Sequence, residues 1–166
     1  MMPNTGLVFV EMDPAMPEAA NLISALDGGL RERYPDSPIH GIEPIEFRAS
    51  GGVFLIGRLD GVGVACGALR PMSDNATELK RMFVRRDQRG KGFGRATLAV
   101  LEKIATRRGF QMIRLETGVN QPEAIGLYES MGYHRIPCFG EYISDHRSRC
   151  FEKALGTGGD APGLLG

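Results

Sequence analysis

The sequence predicts an α/β domain built on a sheet of mixed, mainly antiparallel direction. Two strand-like runs, Val53 to Leu59 and Val62 to Leu69, are separated by Asp60-Gly61, a strong hairpin signal. A third run, Thr77 to Val84, enters a basic, glycine-rich loop that leads into an amphipathic stretch from Arg95 to Arg108. Met112 to Thr117 then reads as another strand, so this part of the chain forms a β-α-β crossover. The full order is β-α-β-β-β-α-β-α-β-β, a meander followed by a crossover.

Each element has its own signal. Leu7-Val-Phe-Val10 is a short apolar run of strand-forming residues. Glu18 to Arg33 has helical character with Leu22, Ile23 and Leu26 as its stripe, and Gly28-Gly29 is expected to weaken or break it. Tyr34 to Pro38 is turn-rich, and residues 39–52 read as loop or short helix. Pro71 to Asn75 is a second turn. In the Arg95–Arg108 helix Leu98, Leu101, Ile104 and Ala105 share one face, and Gly109 suits its C-terminal cap. Pro122 suits a first helical turn, with Ala124, Ile125, Tyr128 and Met131 as the stripe and Gly132 as the stop. Tyr133 to Ile136 and Arg149 to Ala154 are the late strands. Residues 1–155 are expected to form a single domain, with 156–166 a glycine-rich, mobile tail.

Composition narrows the function. The chain has 166 residues, enough for one domain with a sizeable core. Twenty basic residues balance twenty acidic ones, which argues against a nucleic-acid partner. No apolar run approaches the roughly 20 residues of a membrane helix. The first residues, Met1 to Gly6, lack the basic and long apolar regions of a signal peptide. Three widely spaced cysteines suggest no disulfide framework, so a reduced, cytoplasmic setting is expected, with Cys66 and Cys150 as strand core residues. His134, Cys138, His146 and Cys150 match no common zinc spacing, and no metal site is expected.

The loop carries the chemistry. Gly90, Gly92 and Gly94 alternate where loop becomes helix, so backbone N–H groups can turn toward a ligand with no Cβ in the way. The first N–H groups of a helix have no internal partner and sit at the positive end of its dipole. With Arg85, Arg86, Arg89, Lys91 and Arg95 nearby, this is an anion site suited to a phosphate-bearing cofactor. The Arg85-Arg86 run also reads as a solvated face. A dinucleotide-binding unit is one rival, supported by Glu116 at the spacing of a ribose-binding acid. Against it, the third glycine is one residue early for G-x-G-x-x-G, and Arg85 to Arg89 separate the strand from the first glycine.

Arg89-Gly-Lys-Gly-Phe-Gly94 fits the R-x-x-G-x-G/A signature of the GNAT superfamily of acyl-CoA-dependent N-acetyltransferases. Glu78 to Val84 resembles that family's fourth strand, and Met112 to Thr117 its fifth. Glu123-Ala-Ile-Gly-Leu-Tyr-Glu-Ser-Met-Gly-Tyr133 resembles the A-x-x-L-Y-x-x-x-G-F/Y segment that follows. The match covers roughly residues 64–154, with these features in the family's order. The resemblance implies that the two strands splay around a pantetheine arm, with Met82, Phe83 and Val84 along it. It implies that Arg89, Gly90, Lys91, Gly92, Phe93, Gly94 and Arg95 hold the pyrophosphate of acetyl-CoA. It further implies direct attack of a primary amine on the thioester, without an acyl-enzyme.

That reaction needs a proton acceptor for the attacking ammonium and a donor for the departing thiolate. By resemblance Tyr128 is the acid and Glu78 the base acting through water, with Glu116 the alternative base. Tyr128 also reads as a packing residue, and Glu78 as a solvated strand end. The family often has Asn seven residues before the tyrosine, and here that residue is Gln121, beside Asn120. The expected partners are a small-molecule or peptide amine, with no nucleic acid and no membrane, and the enzyme is a monomer or homodimer. Segments 28–50 and 137–149 are expected to select the acceptor. A CoA- or nucleotide-binding module without activity, or a nicotinamide-dependent oxidoreductase, are the alternative functions.

Overall fold

A computed structural model describes residues 5–36, 44–72 and 75–156. The rest of the expected tail, Ser37-Pro38, residues 39–43 and the centre of the Pro71–Asn75 turn lie outside the described residues, as do Met1 to Asn4. The elements are β1 (Leu7–Glu11), α1 (Pro17–Arg33), α2 (Pro44–Ala49), β2 (Val53–Leu59), β3 (Val62–Pro71), β4 (Ala76–Val84), α3 (Phe93–Arg107), β5 (Met112–Gly118), α4 (Pro122–Ser130), β6 (His134–Ile136) and β7 (Ser148–Ala154). Short 3-10 turns fall at Arg86–Gln88 and Gly140–Tyr142. The strands form a seven-stranded sheet in the order β1-β2-β3-β4-β5-β7-β6. Pairing is antiparallel for β1/β2, β2/β3, β5/β7 and β6/β7, and parallel for β4/β5. This is the mixed, mainly antiparallel α/β architecture that the sequence predicts.

The chain divides into two compact units, and the division passes through β4 and α3. The first holds residues 1–70 and 80–101. Its hairpin turns on Asp60 and Gly61, both at positive φ (51° and 81°), as a two-residue connection of primed type requires. β3 is buried along seven consecutive residues, the pattern of a strand covered on both faces rather than one. Ala19, Leu22, Phe47, Phe54, Ile56, Cys66 and Ala68 form the core, with Met12, Ile23 and Phe83 packed against it. Each large side chain so buried contributes about 1.5–3 kcal/mol. The helix α1 does not break at Gly28-Gly29, in contrast to the sequence-based expectation. Burial of Ala19, Leu22 and Leu26 outweighs a helix penalty of about 1 kcal/mol per glycine. A bidentate ion pair from Arg58 of β2 to Glu18 (2.7 Å at the shortest) ties the start of this helix to the sheet.

The second unit holds residues 71–79 and 102–166. Here β5 alternates, burying Ile113, Leu115 and Thr117 and presenting Met112, Arg114 and Glu116 on its other face. Arg114 pairs across the ladder with Glu152 at 2.8 Å. Glu116 lies opposite Cys150 and so shares its face. Tyr133 donates to Glu102 (2.8 Å), which also takes Lys153 at 3.0 Å.

One expectation is overturned: Cys138 and Cys150 form a disulfide, with Cα atoms 5.1 Å apart. The odd cysteine count hid it. Cys150 is fully buried on β7, as expected of a core residue, but its partner comes from the loop after β6, and Cys66 is the thiol left over.

Candidate active site

In the first unit two glycines shape the loop that leads into the start of α3. Gly90 and Gly92 have φ of 80° and 83°, a left-handed backbone that side chains resist. No atom lies within 4 Å of where a Cβ would stand at either, so the glycines leave open space over the loop. Ala96 N–H donates to Gly92 C=O (3.0 Å), the first turn of α3, so the N–H groups just before it lie at the helix's positive end. Phe93 buries its ring and leaves only backbone to face a ligand.

The basic residues divide by role. Arg89 bends back: its Nε donates to Val84 C=O (2.9 Å) and its guanidinium lies over the Phe83 ring (5.6 Å). It therefore braces the loop on the strand that precedes it. Lys91 donates to Gln88 (2.9 Å). Arg86 pairs with Glu32 at 3.0 Å, both side chains largely exposed, which matches the solvated-face reading.

β4 carries an irregularity with no counterpart in the sequence. Arg81 has φ of 59°, and a non-glycine residue there costs about 1–2 kcal/mol. Two contacts hold it. Its guanidinium pairs with Asp27 of α1 at 2.9 Å, mostly buried, and its carbonyl accepts from the Cys66 thiol at 3.2 Å. From this residue on the strand changes from fully buried to half-buried, and Met82, Phe83 and Val84 lie in the half-buried stretch.

The second unit assembles the titratable groups. Its β4/β5 ladder runs from Ala76↔Met112 to Leu79↔Leu115. Glu78 is only 2% exposed, so it is no solvated strand end. Its Oε2 accepts a 2.5 Å hydrogen bond from the Tyr142 hydroxyl, which the loop between β6 and β7 supplies. Burial, then the charges and bonding of Glu78 and the charges of Glu141 and Glu116, push the Tyr142 phenol well above its ordinary value. Its proton stays on the oxygen, and Tyr142 is the donor. Glu116 accepts from the Ser148 hydroxyl at 2.6 Å.

Tyr128 of α4 is buried at 6% exposure, edge-to-face with Tyr133 at 5.9 Å. Burial and the nearby charge of Glu116 raise its phenol well above the ordinary value. Gln121 is committed elsewhere: its Oε1 accepts from Gly118 N–H (3.2 Å), folding the side chain onto the end of β5. Sequence reasoning placed Tyr142 only in an acceptor-selecting segment and overlooked Ser148 and the Arg81–Asp27 pair. Two aromatic residues close together, Phe139 and Tyr142, in a largely polar loop between Cys138 and Cys150 were the available signal for Tyr142.

These features together define the acetyltransferase (GNAT) class of fold, and the comparisons agree. The model of the acetyltransferase (GNAT) family matches residues 19–133, and the chain belongs to that family. It is 34% identical over 155 residues to the IAA acetyltransferase of Azospirillum brasilense, across 93% of this chain and 100% of that protein. A Klebsiella pneumoniae structure assigned to the acyl-CoA N-acyltransferases superposes with a TM-score of 0.78 at 31% identity, covering 92% of this chain and all of that one. The PaiA N-acetyltransferase of Thermoplasma acidophilum, solved with coenzyme A, has a TM-score of 0.67 at 18% identity, covering 89% of this chain and 99% of that one. Among the described residues no helix is long and apolar enough to cross a membrane.

Proposed function

We propose that the protein transfers an acetyl group from acetyl-CoA to a primary amine by direct attack, with Glu78 as base and Tyr128 as acid. The observation that carries this is the pair of buried groups in one unit: a carboxylate on β4 and a phenol on α4. The glycine loop fits the cofactor, since its open backbone and helix start suit a pyrophosphate. Gly90 to Arg95 would hold that group, and Met82, Phe83 and Val84 would line the pantetheine arm. Arg89 would act mainly by bracing the loop, and Gln121 would contribute little. Acetyl-CoA, when bound, supplies the thioester. Glu78 takes the ammonium proton through water, so that the neutral amine forms the new C–N bond. Tyr128 donates toward the sulfur as the C–S bond breaks. Residues 1–155 would act as one domain, a reading supported by a family match that spans both units. The cytoplasm is the proposed site of action, although the Cys138–Cys150 disulfide removes the cysteine argument for a reduced setting.

The test is turnover of acetyl-CoA with a panel of small-molecule and peptide amines, read as free thiol and as acetylated product. Acetyl is the acyl group to try first, given the Azospirillum relative. Amine-dependent thiol release is the expected result. Tight CoA binding with no thiol release for any amine would make the chain a binding module. Binding of NAD in preference to CoA would restore the oxidoreductase reading.

A further inference from the structure

The loop between β6 and β7 is more organised than an acceptor-selecting loop needs to be. The Cys138–Cys150 disulfide closes it against β7. Within it a 3-10 turn is held by Tyr142 N–H to Phe139 C=O (3.0 Å), and the two rings meet edge-to-face at 5.4 Å. Asp145 N–H returns to Tyr142 C=O (3.2 Å). All this fixes one phenol, 2% exposed, whose hydroxyl meets a carboxylate 64 positions earlier in the chain. A bond of 2.5 Å lies in the range of a charge-assisted O–H···O⁻ pair, roughly twice as strong as a neutral one. A glutamate's terminal torsion is broad, so a short bond to one carboxylate oxygen narrows its orientation.

We propose that Tyr142 is a positioning residue for acyl transfer: its phenol holds the Glu78 carboxylate in the orientation from which it takes the acceptor's proton. The inference rests on Glu78 being the base. Tyr142 keeps its own proton throughout and makes no bond to either substrate. What it supplies is orientation of the group that does accept a proton, which bears on turnover and not on ground-state binding.

The test is a double-mutant cycle in the full chain, with Tyr142→Phe, Glu78→Gln and the two combined. Tyr142→Phe keeps the ring and its contact with Phe139, and a thermal melt and calorimetric acetyl-CoA titration check that each variant is folded. We expect kcat to fall about 10-fold in Tyr142→Phe, with KM for amine and acetyl-CoA unchanged. Glu78→Gln should fall about 100-fold, and the double variant no further than Glu78→Gln alone. If Glu78→Gln is fully active, the base assignment fails and the inference falls with it. If Glu78→Gln is slow, a Tyr142→Phe enzyme of parental kcat overturns this inference alone. So does a double variant whose losses multiply, or a Tyr142→Phe effect confined to KM.

Discussion

Residues 89–95 run as a largely exposed glycine loop into a helix start, whereas Glu78, Tyr128 and Tyr142 are side chains almost sealed from solvent. The loop is contiguous in sequence. Its conformation comes from two glycines at positive φ and the start of one helix, so its shape can be read from a few neighbouring residues. The buried cluster draws on β4, β5, α4 and the loop before β7, and its Tyr142–Glu78 and Ser148–Glu116 hydrogen bonds join residues 64 and 32 positions apart. A backbone site is tuned by torsion and by salt, because it works through dipoles and formal charges in water. A buried side-chain site is tuned by proton affinity, because desolvation penalises every charged form. Substitutions in the loop should therefore alter affinity for CoA, and substitutions in the cluster should alter turnover.

The largest effect tests the cluster. Glu78→Gln should lower kcat about 100-fold near neutral pH. The loss should shrink as pH rises, because the amine then arrives already deprotonated. Steady-state rates across the pH range check this, and a uniform loss at every pH would argue against a base. Next, Tyr128→Phe should slow turnover about 10- to 100-fold while binding acetyl-CoA nearly as well as the parent. A thiolate leaves readily, so the lower figure is favoured. The shift in Tyr128 adds a sign: raised by burial and by Glu116, the phenol stays protonated through and above the ordinary range near 10. An alkaline fall in kcat at about 10 that vanished in Tyr128→Phe would contradict that.

The loop gives the third prediction. Gly92→Val should weaken acetyl-CoA binding about 10-fold or more, equivalent to about 1.4 kcal/mol, with kcat at saturation little changed. The free protein has room for the side chain, but φ of 83° does not suit a β-branched residue, and the added bulk lies where a pyrophosphate would approach. Calorimetry at two salt concentrations checks both parts, since binding should also weaken with salt. The smallest effect lies away from both regions. Glu18→Gln should cost no more than about 1 kcal/mol, because its partner Arg58 is about a third exposed. Arg58 holds the Glu18 carboxyl below its ordinary value. That contribution is therefore present above the unfolded value, near 4.3, and is lost as pH falls through the lowered one. Denaturant melts at pH 7 and pH 3 would show it.

The same contrast explains what the sequence made legible. The hairpin at Asp60-Gly61, the glycine loop and the α3 stripe are local patterns, and all were readable. Glu78 and Tyr128 could be named from motif position, and burial removes only the reading of Glu78 as a solvated strand end. Tyr142 could not be assigned a partner, since no short-range pattern joins it to Glu78. Neither could Arg81 be singled out, because nothing in Lys80-Arg-Met82 marks a left-handed residue. Its conformation depends on Asp27, more than 50 positions earlier. The disulfide failed for a related reason: counting cysteines says nothing about which two approach within 5.1 Å at the Cα.

That bond has a further property, and it is kinetic. Disulfides reshuffle by attack of a thiolate, so a third cysteine in the same chain is ordinarily a route to mispairing. Cys66 is sealed in the core of the other unit, donates its thiol hydrogen to Arg81 C=O, and is pushed up to about 12 by burial. At neutral pH the folded chain thus contains almost no internal thiolate, and only a reagent from outside can open the clasp on the Tyr142 loop. The chain's third sulfur is a bystander by construction, which lets one covalent link coexist with one free thiol without exchange between them.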